Sequence, residues 1–346
     1  TYFTGMKWYA SERMVGAILP AVGKVQYIAP SFEIGTLNGF KVIDGPIHGW
    51  QEHQSPYILF VDILKQVKIS DKATIGIDES AQFFIFDGIN KVQTGLNLIN
   101  AQAITAHCRM QKSDNEIALM QGAMNMTLAV HQATASMLYE GISTTEVEAF
   151  IKQAHQKVGA PGNHFCIVLF GIATSFPHGV KDAQVLKVGD IVLIDTGCKV
   201  HDYLSDITRT YVFGEPTGRQ REFWNNEKSA QLAAFNAAQI GAPCEAVDAA
   251  ARDYLASQGL GPEYQTPGCP HRTGHGIGLD IHEWPYLVGG NKTPLATGMC
   301  FSNEPMLVVP DEFGIRLEDH FYMTDKVARW FTEPSNSIDN PFGLSN

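Results

Sequence analysis

Two stretches of the sequence place carboxylates inside otherwise apolar, strand-like runs. Ile191-Val192-Leu193-Ile194-Asp195 ends in an acid, a turn-like segment follows, and Tyr203 to Phe213 returns carrying Asp206. A hairpin folded about the Val200–His201 bond sets Asp195 opposite Asp206, at a Cβ separation of ~4.5–5.5 Å where like charges repel. Cys300 to Val309 repeats the theme, running through Pro310-Asp311-Glu312 into Phe313 to Met323. Folding about Asp311 sets Glu304 opposite Glu318, and Arg209 and Arg316 are each placed to neutralise one acid. A single acid on the wet face of a sheet needs no partner, but two opposed pairs in register point to a cation. Oxygen ligands alone suit Mn²⁺, Mg²⁺ or Ca²⁺, whereas an added imidazole favours Mn²⁺, Co²⁺ or Zn²⁺.

The imidazole is supplied by Pro270-His271-Arg272-Thr273-Gly274-His275-Gly276-Ile277-Gly278-Leu279-Asp280-Ile281-His282-Glu283. Glycines here let the backbone bend tightly, so that His275 reaches a centre from an irregular loop. Their alternation is a poor dinucleotide fingerprint, because no apolar strand precedes it and no helix follows. A further histidine, His178, stands in Phe176-Pro177-His178-Gly179 after an expected strand from Cys166 to Phe170.

The elements that must carry these groups are announced by caps. Ser113-Asp114-Asn115-Glu116 is a capping box opening a helix from Asp114 to about Tyr139, stopped by Gly141. Ser143-Thr144-Thr145-Glu146 opens a second towards Lys157, Thr217-Gly218-Arg219-Gln220 a third, and Pro243 to Gln258 forms a fourth. Gly141 before a capped helix recurs as Gly241 before another, each helix pair leading into acid-bearing strands, which suggests a duplicated unit. Before residue 110, short apolar runs alternate with turns at the spacing of a small α/β domain. Tyr2-Phe3-Thr4-Gly5 reads as a strand entering a turn, and Ile104 to Met110 as a last strand before a linker. The domains expected are 1–110 and 113–334, with an irregular tail over 335–346.

Composition narrows the function. With 25 basic against 36 acidic residues the net charge is -11, which disfavours nucleic acid as a partner. No apolar run approaches the ~20 residues that span a bilayer, so no membrane partner is expected. Six cysteines without a CxxC pair read as free thiols in a reducing, cytoplasmic setting, although a leading segment would be invisible here.

In order, Pro177-His178-Gly179, Ile194-Asp195-Thr196-Gly197, Ser205-Asp206-Ile207-Thr208-Arg209-Thr210, His271 to Gly278, Asn303-Glu304-Pro305 and Arg316-Leu317-Glu318-Asp319 resemble the creatinase/prolidase family with its pita-bread fold. The resemblance covers about residues 113–330. It implies a creatinase-like α/β N-terminal domain, lacking its first segment, and an α+β catalytic domain with an internal pseudo-twofold duplication. It implies two divalent ions, Mn²⁺ foremost, with Co²⁺ or Zn²⁺ as alternatives. Asp195 matches the ligand of one ion, Asp206 and Glu318 the bridging carboxylates, and His275 and Glu304 the ligands of the other. Glu304 also matches a proton shuttle, His178 and His282 match substrate-contacting catalytic histidines, and Tyr203 and Arg316 fall among the substrate-binding positions. The implied activity is hydrolysis of the Xaa-Pro bond of dipeptides through a metal-bridging hydroxide. An Xaa-Pro aminopeptidase acting on longer proline-containing peptides is the alternative, followed by a non-catalytic binding protein. The same resemblance implies a homodimer.

Overall fold

The computed structural model describes residues 2–342, which form two compact units that meet in sequence between Thr105 and Ala106. In the first unit, β1 (Gly16–Ile18) pairs antiparallel with β2 (Gln26–Pro30), which pairs parallel with β3 (Ile47–Trp50) across α1 (Ile34–Phe40). α2 (Pro56–Gln66) is capped by Ser55 and leads to β4 (Thr74–Ile77), α3 (Phe83–Val92) and β5 (Asn97–Asn100), with β4 and β5 parallel. Trp50, Phe60, Ile63, Leu64 and Ile89 close its core.

Two expectations for this unit fail. Residues 2–4 form a turn rather than a strand, with Thr4 Oγ1 accepting from Met6 N at 3.3 Å. Ile104 to Met110 lies in a helix, α4 (Gln102–Met110). The Asn100 carboxamide accepts from Gln102 N at 2.8 Å, and the helix formers Ala103 and Ala106, with Arg109 and Met110, outweigh the β-branched pair Ile104-Thr105.

The second unit repeats one plan twice. α5 (Asp114–Met137), α6 (Thr144–Lys157) and α7 (Gly218–Ala237) each start at the capping box read from the sequence, and α8 (Cys244–Ser257) follows Pro243. Behind α5 and α6 lie β6 (Asn163–Phe170), β7 (Ile191–Val200), β8 (Tyr203–Leu204) and β9 (Ile207–Val212), with β7 central. Behind α7 and α8 lie β10 (Gly274–Gly276), β11 (Glu283–Leu287), β12 (Cys300–Asn303) and, past the β13 (Met306–Val309) to β14 (Phe313–Arg316) hairpin, β15 (Asp319–Met323) and β16 (Ala328–Trp330). The duplication is visible bond by bond. Gly141 N donates to Leu186 O and Leu186 N to Ile142 O, while Gly241 N donates to Leu295 O and Leu295 N to Ala242 O.

Alternation along β7 decides what faces the centre. Val192 and Ile194 pack with Val130 and Ile151 of the covering helices, so Leu193 and Asp195 point to the opposite face. The second half has the same layering, Trp224, Ala230, Val247 and Leu255 packing with Phe301 and Phe321. Each large apolar side chain so buried stabilises the fold by about 1.5–3 kcal/mol.

One polar group in this packing sets a pH dependence. His131 on α5 is buried, its Nε2 2.9 Å from Ile207 O, and burial followed by the charge of Arg209 pushes its pKa down to about 3. The unfolded chain protonates near ~6.5, so the native state binds fewer protons as pH falls below that value. The contribution is fully present above pH ~6.5 and is lost on acidification towards about 3, amounting to roughly 3 kcal/mol by pH 4.5. His131→Gln imitates Gln231, which donates from α7 to Leu317 O at 3.0 Å. Urea unfolding at pH 7 and 4.5 should show a smaller acid loss in the variant, and equal losses would refute the assignment.

Candidate metal centre

The loop of the first hairpin is the pair His201-Asp202, both at positive φ (46° and 72°), the backbone of a two-residue turn. It moves the register by two residues from the one expected. Asp195 faces Thr208 instead of Asp206, and Asp206 falls between β8 and β9. A shift of two preserves the face, so both acids still point inward. The second hairpin turns about Asp311, as the sequence suggests. Its register runs on through β12 and β15, leaving Glu304 and Glu318 at the break between the two ladders.

His275 does not come from an irregular loop. It sits on β10, between β11 and β12. Glycine serves close approach here: a Cβ at Gly274 would lie 2.1 Å from Ser302 O, and one at Gly197 would lie 1.8 Å from Ser205 O. Each contact abuts a candidate ligand, His275 in one case and Asp206 in the other.

Asp206, His275 and Glu318 bring ligand atoms within 4.8 Å of one another. His275 Nε2 lies 3.0 Å from Glu304 Oε1 and 3.7 Å from Asp206 Oδ2. Its Nδ1 is 3.0 Å from Gly276 O, and donation there turns the Nε2 lone pair towards the acids, the tautomer a metal ligand needs. Asp195, Asp206 and Glu318 are buried, and each leaves one carboxylate oxygen without a hydrogen-bond partner. Burial, then the charges of Glu318 and Asp195, drive the Asp206 pKa well above the usual carboxylate range. Glu318 is driven up likewise by burial and then Glu304, and burial raises Asp195 despite Arg316. Glu304 moves the other way: burial raises its pKa, but the hydrogen bond and charge of His275, in the form that carries a proton on Nε2 instead of the ligand tautomer, lower it by more.

These residues fit a divalent metal. Three acids converge on one imidazole and a fourth, Asp195, adjoins them; three of the four have an orphaned buried oxygen, and of the four only Asp195 meets a guanidinium. Oxygen-rich sites with one nitrogen are the donor set of Mn²⁺, Co²⁺ or Zn²⁺.

The arginines depart from expectation. Arg209 pairs with Asp319 at 2.6 Å, outside the four acids. Arg316 does neutralise Asp195, at 2.5 Å, but it is buried and not a free substrate-binding fork. Its Nε donates to Thr208 Oγ1 at 3.0 Å and its Nη1 to Pro177 O at 3.3 Å, and Thr208 Oγ1 donates on to Glu318 at 2.6 Å. Tyr203 is half-buried, its hydroxyl 2.5 Å from Glu116 in the first turn of α5. His178 and His282 are both exposed. The His282 ring stands edge-on to His275 at 4.3 Å, and partial burial, then the charges of His275 and Arg272, push its pKa down to about 4.

Several supporting residues escaped the sequence reading. Glu283 is buried and accepts from Lys112 Nζ at 2.9 Å, from Leu279 N at 2.8 Å and from Asp280 N at 3.1 Å, besides pairing with Arg109. It thereby moulds the loop that ends in His282. Ser302 links His275 N (2.9 Å) to Glu304 Oε1 (3.1 Å). Glu227 and Gln231 lie on the buried face of α7 with Phe223, Ala230 and Ala234, a helical-period signal that could have flagged them.

The chain is similar to known proteins over most of its length. The profile of Metallopeptidase family M24 matches residues 118–325. A crystal structure of dipeptidase PepE from Mycobacterium ulcerans is similar over 97% of this chain and 89% of its own, at 32% identity and a TM-score of 0.89. A prolidase from Thermococcus sibiricus matches over 96% and 89%, at 30% identity and 0.87. An Xaa-Pro dipeptidase from Bacillus anthracis matches over 94% and 88%, at 27% identity and 0.81. With the duplicated fold, the inward-facing acids and His275 all in place, the chain belongs to metallopeptidase family M24.

Proposed function

We propose that this metallopeptidase hydrolyses the Xaa-Pro bond of dipeptides with two divalent ions, Mn²⁺ foremost. The observation that carries the reading is the convergence of Asp206, Glu304 and Glu318 on His275, with Asp195 beside Asp206 and the charges largely uncompensated. The names of the solved prolidase and Xaa-Pro dipeptidase relatives support the substrate class. Asp195 would hold one ion, His275 and Glu304 the other, and Asp206 and Glu318 both. Bound there, divalent cations acidify water and polarise a peptide carbonyl.

The chain's own groups do the rest. His282, neutral at pH 7, and His178 present N–H donors where negative charge grows on the carbonyl oxygen. Glu304 is the proton carrier, and it delivers the proton to the imino nitrogen of the leaving proline. Arg316 and Thr208 keep Asp195 and Glu318 in place, and Ser302 orients Glu304. The six free cysteines accord with a reducing, cytoplasmic setting.

The test is hydrolysis of Ala-Pro by protein stripped with chelator and then reloaded with Mn²⁺, Co²⁺ or Zn²⁺. Activity should vanish on stripping and return with metal. Failure to cleave any Xaa-Pro bond under every metal defeats the proposal. Release of the first residue from Ala-Pro-Gly as efficiently as from Ala-Pro would move the reading to the aminopeptidase.

A further inference from the structure

A buried cation–acid pair lies behind the histidines of the metal centre. Lys112 stands in the link between α4 and α5, and its ammonium meets the Glu283 carboxylate at 2.9 Å with both side chains buried. Burial alternates along β11: Glu283, Pro285 and Leu287 are buried, while Trp284 and Tyr286 are half-buried. Tyr286 is the cross-strand partner of His275, so Glu283 points away from the face that carries them both. His282, one residue earlier, turns back to that face, its ring 4.3 Å from the His275 ring.

The turn from β10 to β11 is wrapped on this pair. Glu283 Oε1 accepts from Leu279 N at 2.8 Å and from Asp280 N at 3.1 Å, and Arg109 joins Glu283 to Asp280. A Cβ at Gly278 would lie 2.8 Å from Lys112 Cε and 2.9 Å from Glu283 Oε2, so the backbone rests on the ion pair. Both ends of the assembly are tied to strands that carry the metal centre. Lys112 N donates to Gly298 O at 2.7 Å, just before β12, and Leu204 N donates to Gly278 O at 2.9 Å, two residues before Asp206. Compared with an apolar pair of similar volume, a buried ion pair adds little to stability. What charge-assisted donors on one carboxylate do supply is a single geometry for the chain on either side of it. Displacing a catalytic group by about 1 Å costs on the order of 10²-fold in rate, so that geometry bears on His282.

We propose that Lys112 and Glu283 are positioning residues of the catalytic centre: their buried ion pair holds the His282 ring beside His275, where it donates to the carbonyl oxygen as that atom becomes negative. This rests on the Xaa-Pro peptidase reading and adds to it the pair that acts through His282. In this role neither residue touches substrate or metal, and no bond is made or broken by them.

The experiment is a pair of double-mutant cycles on Mn²⁺-loaded enzyme, with Glu283→Gln and Lys112→Met each made in wild type and in His282→Ala, reading kcat and KM for Ala-Pro. In wild type Glu283→Gln should lower kcat by about 10- to 100-fold and leave KM within about 3-fold. Lys112→Met should lower kcat by about 3- to 10-fold, because Arg109 and the two turn amides still hold the acid. In His282→Ala either change should cost less than about 3-fold, since the donor that the pair positions is gone. A merely structural role predicts equal losses in the two backgrounds. Should Glu283→Gln fail to fold, the Lys112→Met cycle carries the same test. A readout apart from turnover is the crystal structure of Lys112→Met, in which the His275–His282 ring contact should open by about 1 Å. Unchanged kcat in both variants, equal losses in the two backgrounds, or an undisturbed ring pair overturns the inference while the Xaa-Pro reading stands. A wild type that cleaves no Xaa-Pro bond overturns both.

Discussion

Asp206→Asn is expected to lower metal-dependent hydrolysis by about 10³-fold or more, while the metal-free variant unfolds no more easily than metal-free wild type. The two halves of this expectation have one cause. In the absence of a cation Asp206 is a buried acid among like charges, with one oxygen unpartnered and a pKa driven well up. An amide of the same shape removes a repelling charge and keeps the packing, so the metal-free fold gains or breaks even. With a cation the balance reverses, because a carboxylate ligand is replaced by a weak neutral donor. Loss of one preorganised charge-stabilising group commonly costs 10²–10³-fold in rate, and this position is proposed to serve both ions. Metal binding should also stabilise wild type by about 2.7 kcal/mol at a hundred times Kd, a gain the variant should largely lose. Thermal melts with and without Mn²⁺, alongside Ala-Pro hydrolysis, check all three. Near-wild-type activity, or a metal-free variant weakened by more than about 2 kcal/mol, would show that Asp206 is an ordinary structural acid.

The parts of this site that were legible in the sequence are those governed by local rules. Capping boxes at Ser113, Ser143 and Thr217 fixed three helix starts, because the cap and its N3 partner are only three residues apart. The hairpin about Asp311 kept its expected register, whereas the one near His201 did not. Neither His201 nor Asp202 is glycine, so the sequence does not advertise two consecutive left-handed residues, and the centre of the turn was misplaced. The error was harmless to the chemistry because side chains repeat every two residues. What could not be read was the scaffolding. Glu283 meets Lys112 and Arg109 more than a hundred positions away, and Arg316 meets Pro177 and Asp195 across the pseudo-twofold. Only the closed fold brings such partners together, and each then looks, in sequence, like an ordinary charged residue.

Arg316→Met tests that scaffolding. One buried side chain donates to Asp195, to Thr208 and to the Pro177 carbonyl, and Thr208 in turn donates to Glu318. Removing it leaves the Asp195 carboxylate buried without its cation, and breaking a buried pair in this way costs about 3–5 kcal/mol. Metal-free protein should show most of that loss in urea unfolding. Protein saturated with Mn²⁺ should show less, since a bound cation supplies part of the missing positive charge. Turnover should fall as well, because Pro177 precedes His178 and its carbonyl would lose the Nη1 donor. Arg316→Lys separates charge from geometry. A lysine restores the positive charge but is a compact point donor on a flexible stem, and it cannot span an acid, a hydroxyl and a carbonyl in three directions. Stability should therefore recover more than activity does. If Arg316→Met costs less than about 1 kcal/mol without metal, Asp195 is relieved by water or by its own proton, and the guanidinium does not set the geometry of the centre.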